Sequence, residues 1–110
     1  MNPANVHLQH GAGASKAISD AAGAELEDGC RAYIKQHRWL KVAQAMHTTA
    51  GNLPLPIAYV IHVAGPDSSE YRDMDYCHQF LKSAFKNCFK YANDVLNVHS
   101  LAVPAISSGN

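Results

Sequence analysis

Residues 57–64 read IAYVIHVA, and almost every position carries an apolar, aromatic or β-branched side chain. Such a run suits a strand covered on both faces, as in a sheet flanked by helices. Gly65-Pro66 ends it. Upstream, Trp39–Met46 opens with a turn and enters a strand that runs to about Thr49, where Gly51-Asn52, Pro54 and Pro56 break the chain. Further back, Ser15–His37 carries Ile18, Ala22, Leu26, Cys30, Tyr33 and Ile34 at three- and four-residue steps, a helical stripe. Gly23 and Gly29 each weaken that helix by up to about 1 kcal/mol, so packing must hold it.

Downstream, Asp67–Arg72 is a polar loop. A helix is expected over Asp73–Leu96, with Phe80, Ala84, Cys88, Ala92 and Val95 on its core stripe. Ser100–Ile106, SLAVPAI, reads as another strand and Ser107–Asn110 as a loop; Asn2–His10 is polar and loop-like. The order helix, strand, strand, helix, strand is that of an α/β domain with helices on the faces of a sheet.

At 110 residues the chain is sized for one domain, and 47% apolar residues suffice for a core. Nine basic and nine acidic residues cancel without forming blocks. Neither duplex nucleic acid nor an anionic membrane is therefore an expected partner. The first ten residues have no basic start leading into an apolar stretch, so no signal peptide is read. Cys30, Cys77 and Cys88 lack metal spacing. Cys30 and Cys88 fall on apolar helix faces, as buried reduced thiols of an intracellular protein, nuclear or cytoplasmic, would. No pair among seven histidines has ligand spacing with an acidic or cysteine neighbour, so no metal is expected. His62, inside the apolar run, reads as a satisfied core histidine.

The strongest local feature is His10-Gly11-Ala12-Gly13-Ala14-Ser15 running into the first helix. Small residues let backbone approach a ligand, and a helix start offers unpaired N–H groups to an anion. This is not a Walker loop: no glycine precedes Lys16, and Ala17 follows it. Nor is it a full dinucleotide fingerprint, because Lys16 stands where the third glycine belongs. Asn2 and Asn5, just before it, can offer amide groups to sugar hydroxyls or to their own turn.

NPANVHLQHGAGASKAI, residues 2–18, resembles the macrodomain signature, in which two asparagines, a leucine and a glycine triplet lead into the first long helix. The similarity continues through the first helix, LKVAQAMHTTAGNLPLPIAYVIHVAGP and SLAVPAISSGN, covering nearly the whole chain. The general look is similar to macrodomains of the large poly-ADP-ribose polymerases and of coronavirus polyproteins. The resemblance implies a three-layer α/β/α mixed sheet with flanking helices, present here in part, as a single partial domain over residues 1–110. It implies binding of ADP-ribose or mono-ADP-ribosylated protein through two phosphate-contacting loops, with no cofactor besides that ligand.

By the same resemblance, Asn5 falls on the asparagine that contacts the distal ribose. His10, Gly11, Ala12, Gly13 and Ala14 fall on the first phosphate loop, and Ser107, Ser108 and Gly109 on the second. Asn2 is expected to support the loop from behind. An alternative is a mono-ADP-ribosyl-protein hydrolase whose attacking water is placed by Asn5; another is a remnant that binds nothing. Ala12 replaces the middle glycine of the triplet, Ser15 stands where one hydrolase branch has aspartate, and Ala43 replaces a common glycine. The family's adenine-holding acid, its early strands and its final helix lie outside this stretch. Without them the chain is expected to fold poorly alone with strand edges bare, and, since the resembling modules often sit beside transferase or reader domains, to belong to a larger multi-domain protein.

Overall fold

A computed structural model describes residues 1–11, 13–65 and 74–103, without the side chains of 74–77. Three strands, β1 (Asn2–Ala4), β2 (Ala45–Thr49) and β3 (Tyr59–Ala64), form a sheet in the order β1-β3-β2. β3 runs parallel to β1, pairing Asn2 with His62, and antiparallel to β2, pairing Met46 with His62. The sheet is therefore mixed, with the IAYVIHVA strand at its centre.

Alternation along β3 assigns its two faces. Val60 and Ala64 pack with Leu26, Cys30, Leu40 and Met46 beneath α1 (Gly13–Ala22) and α2 (Ala24–His37). Ile61 and Val63 pack with Phe80, Ala84 and Cys88 of α3 (Met74–Asp94) on the other side. Helices on both faces make the three layers expected of an α/β fold, and both Cys30 and Cys88 are buried free thiols.

Two local features differ from the expectation. The helix over Ser15–His37 is two helices, broken at Gly23, whose φ is 86°. The break frees the Ala22 carbonyl to accept the Asn52 N–H at 2.8 Å. Gly51 must stay small at that crossing, because a Cβ there would lie 2.4 Å from the same oxygen. Within Asn2–His10, Asn2–Ala4 forms a strand, since parallel pairing with β3 comes from distant residues and leaves no local trace. The segment from Trp39 turns first, as expected, and at Ala45 enters its strand, which ends at Thr49. Before it, Val42 makes a lone bridge to Ala64 and Ala43 turns with φ 65°.

Of the expected strand Ser100–Ile106, residues 100–103 are not in a strand and the rest lie outside the described residues, as do Asp67–Arg72 and Ser107–Asn110.

Candidate functional site

The chain leaves β1 at Ala4 and makes a tight turn. Asn5 organises it: its Oδ1 accepts the N–H groups of His7 and Gln9, both at 3.0 Å, while its main-chain oxygen accepts from Leu8. A short side chain that bonds its own backbone is what favours asparagine in such turns. Leu8 takes φ 53° with its side chain 3% exposed, which anchors the turn in the core. Asn5 itself is exposed, and among the described residues its Nδ2 has no hydrogen-bond partner.

His10 closes the next segment. Its Nδ1 lies 2.6 Å from Ser15 Oγ and its Nε2 3.5 Å from Cys30 Sγ, so the ring ties the loop to both α1 and α2. At both glycines of this segment the backbone is bare: a Cβ added at Gly11 or Gly13 would meet nothing within 4 Å. Gly13 starts α1 with φ 64°, which glycine adopts at no steric cost. No acidic side chain occupies the first turn, so the amide-rich positive end of α1 is uncompensated. The structure thus places His10, Gly11, Gly13 and Ala14 along the entry to α1, with Asn5 in the turn that precedes them. Ala12, Ser107, Ser108 and Gly109 lie outside the described residues.

Beneath the loop sits a buried polar cluster. Asn2 and His62, both 0% exposed, meet through Asn2 Nδ2 and His62 Nδ1 at 3.0 Å. His62 Nε2 lies 3.0 Å from Thr48 Oγ1 and 3.9 Å from Cys30 Sγ. The His10 and His62 rings are 5.6 Å apart between centroids. Burial, with the neighbouring His10, holds the His62 pKa down to about 3, and burial lowers that of His10 against the opposing pull of Glu27. Burial, aided by Glu27, pushes the Cys30 thiol up to about 12. At neutral pH the cluster is therefore uncharged.

The family profile of the Macro domain matches residues 1–110. The chain belongs to the macrodomain family. This macrodomain is 37% identical over 110 residues to O-acetyl-ADP-ribose deacetylase 1 of Pantoea vagans, a match that covers 99% of the chain and 61% of that protein. It is 36% identical to the human protein mono-ADP-ribosyltransferase PARP14, over 99% of the chain but 6% of the human protein. Among solved structures, the Oceanobacillus iheyensis macrodomain with ADP superposes with a TM-score of 0.70 at 26% identity, covering 84% of this chain and 48% of that one. A mutant of the same macrodomain with ADPR gives 0.71 at 26%, covering 84% and 49%. The chain spans about three fifths of the length of the bacterial relative and a small part of the human one.

The sequence singled out the helix mouth of this macrodomain but not the cluster below it. His10 and Cys30 are 20 residues apart, and Cys30 and His62 are 32 apart. Their convergence depends on α2 packing over β2, beside β3, so that Cys30 meets the sheet face His62 shares, which no spacing along the chain records.

Proposed function

We propose that this macrodomain chain binds ADP-ribose, free or carried on a protein. The diphosphate lies against the N–H groups of the His10–Ala14 loop, Asn5 Nδ2 meets the adjoining ribose, and Ser107, Ser108 and Gly109 close the second side. The observation that carries this reading is the bare backbone at Gly11 and Gly13 leading into a helix start with no acidic residue. The Oceanobacillus relatives solved with ADP and with ADPR support the ligand class. Isothermal calorimetry with ADP-ribose tests it. Asn5→Ala is expected to weaken binding at least about tenfold, a loss of roughly 1.4 kcal/mol, whereas Lys82→Ala, on the exposed side of α3, leaves it unchanged. Equal affinity of Asn5→Ala and the parent, or no binding at millimolar ligand, overturns the assignment.

The identity to a bacterial O-acetyl-ADP-ribose deacetylase favours hydrolysis as a second reading, with the attacking water placed by Asn5. Asn5 Oδ1 already accepts two backbone N–H groups, which leaves Nδ2 to hold the water oxygen, and Ser15 is engaged with His10. Binding is therefore placed first. Release of labelled ADP-ribose from a modified acceptor, above the level of Asn5→Ala, would put the enzyme ahead.

A further inference from the structure

We propose that His10 Nε2, Cys30 Sγ and His62 Nε2 together bind a single zinc-class divalent cation beneath the loop. The three ligand atoms lie within 4.8 Å of one another. A tetrahedral zinc with bonds of about 2.3 Å to sulfur and 2.05 Å to nitrogen sets its S···N edges at about 3.5 Å. The two S···N edges, 3.5 Å to His10 and 3.9 Å to His62, require shifts of a few tenths of an ångström at most, and the N···N edge, within 4.8 Å, closes to about 3.3 Å on binding. One thiolate and two imidazoles form a borderline-soft set that suits zinc and excludes magnesium and calcium, which take oxygen ligands.

The surroundings fit a metal site in a second way. Metal-bound imidazoles are held through their other nitrogen, and both are held here. His10 Nδ1 meets Ser15 Oγ at 2.6 Å, and His62 Nδ1 meets the Asn2 amide at 3.0 Å. Asn2 Oδ1 is a buried acceptor without a partner among the described residues. Turning that amide over sets Oδ1 on His62 Nδ1–H, which places the lone pair on Nε2; the Thr48 hydroxyl, 3.0 Å away, donates to it until the metal takes its place. Three protein ligands leave the fourth position open, to be filled by water or by a ligand reaching the half-buried His10.

The expectation of no metal rested on neighbours along the chain; these ligands meet only in the folded protein. Binding converts the neutral thiol to thiolate and keeps both imidazoles neutral, so each zinc taken up releases one proton from Cys30. The metal would pin the His10 loop to α2 and β3. The metal site shares only His10 with the ADP-ribose reading and needs neither Asn5 nor the bare glycines.

Titrating the reduced chain with Co(II) tests it. The expected result is one Co(II) per chain, a thiolate-to-cobalt charge-transfer band in the near ultraviolet, tetrahedral d–d bands in the visible, and displacement of both by Zn(II). Cys30→Ser should lose the charge-transfer band, and a Cys77→Ala, Cys88→Ala double variant should keep it. His10→Ala, at a half-buried position, should fold and bind Co(II) at least about 100-fold more weakly, since even outer contacts to a metal ligand are worth 10–100-fold. No band in the parent, the same band in Cys30→Ser, or unchanged affinity in His10→Ala overturns the proposal. Fluorescence titration with ADP-ribose, with and without metal, is a separate readout whose failure would bear on the ligand reading alone.

Discussion

Asn2 and His62 face each other as register partners on two parallel strands, and their side chains meet at 3.0 Å in a region fully closed to solvent. The contact joins β1 to the centre of the sheet. Asn2→Ala removes the one side-chain partner that His62 Nδ1 has among the described residues and leaves that buried nitrogen unsatisfied. The expected cost is roughly 1–3 kcal/mol, read as a fall in the urea midpoint with an unchanged slope.

The depressed pKa of His62 gives stability a direction with pH. Burial and the neighbouring His10 hold the folded value at about 3, against an ordinary value of 6.5. Below pH 6.5 the unfolded chain takes up a proton that the folded chain refuses. Stability is therefore complete above 6.5 and is lost as pH falls toward 3, with an upper bound of roughly 4–5 kcal/mol from this residue. Denaturant unfolding at several pH values, with a chelator present, is expected to show a steep acid limb that His62→Gln flattens. An equal limb in both proteins would contradict it.

Gly11 separates folding from ligand contact. A Cβ there meets nothing within 4 Å, so Gly11→Val should leave stability within about 0.5 kcal/mol of the parent. The same side chain would stand where the diphosphate is proposed to approach, and ADP-ribose affinity should fall at least about tenfold. Paired thermal unfolding and calorimetry check both halves. A variant that binds as the parent does would remove the first loop from the proposed site.

The fold was legible where one residue type dominated one environment. IAYVIHVA announced the central strand because both its faces are covered, and the α3 stripe announced one of the layers covering it. Asn2–Ala4 was not legible as a strand, because three polar or small residues with a proline carry little intrinsic strand preference and are held by pairing to residues sixty positions away. Gly23 was visible as a weak point in a helix, but not as its break, which depends on Asn52 reaching the Ala22 carbonyl. At the site, small residues before a helix marked the mouth. The His10–Cys30–His62 cluster was invisible because each member looked ordinary in its own segment.

Ala43 supplies a last test, of strain. It stands where the family resemblance places glycine, and it adopts φ 65°, in the left-handed region that a Cβ disfavours. The conformation is imposed from both sides: the Ala43 N–H donates to the Ala64 oxygen at 2.8 Å, and its own oxygen accepts from Asn87 Nδ2 at 2.8 Å. These bonds hold the connection into β2 against both β3 and α3, so the residue cannot relax to negative φ without breaking them. Ala43→Gly removes a steric cost on the order of 1–2 kcal/mol and returns part of it through the freer unfolded chain, about 0.4–1 kcal/mol. The net expectation is a gain of up to about 1 kcal/mol, with the partly buried methyl as the opposing loss. Urea unfolding of the two proteins measures it. A destabilised variant would mean that the methyl's packing against the α3 layer outweighs the backbone strain.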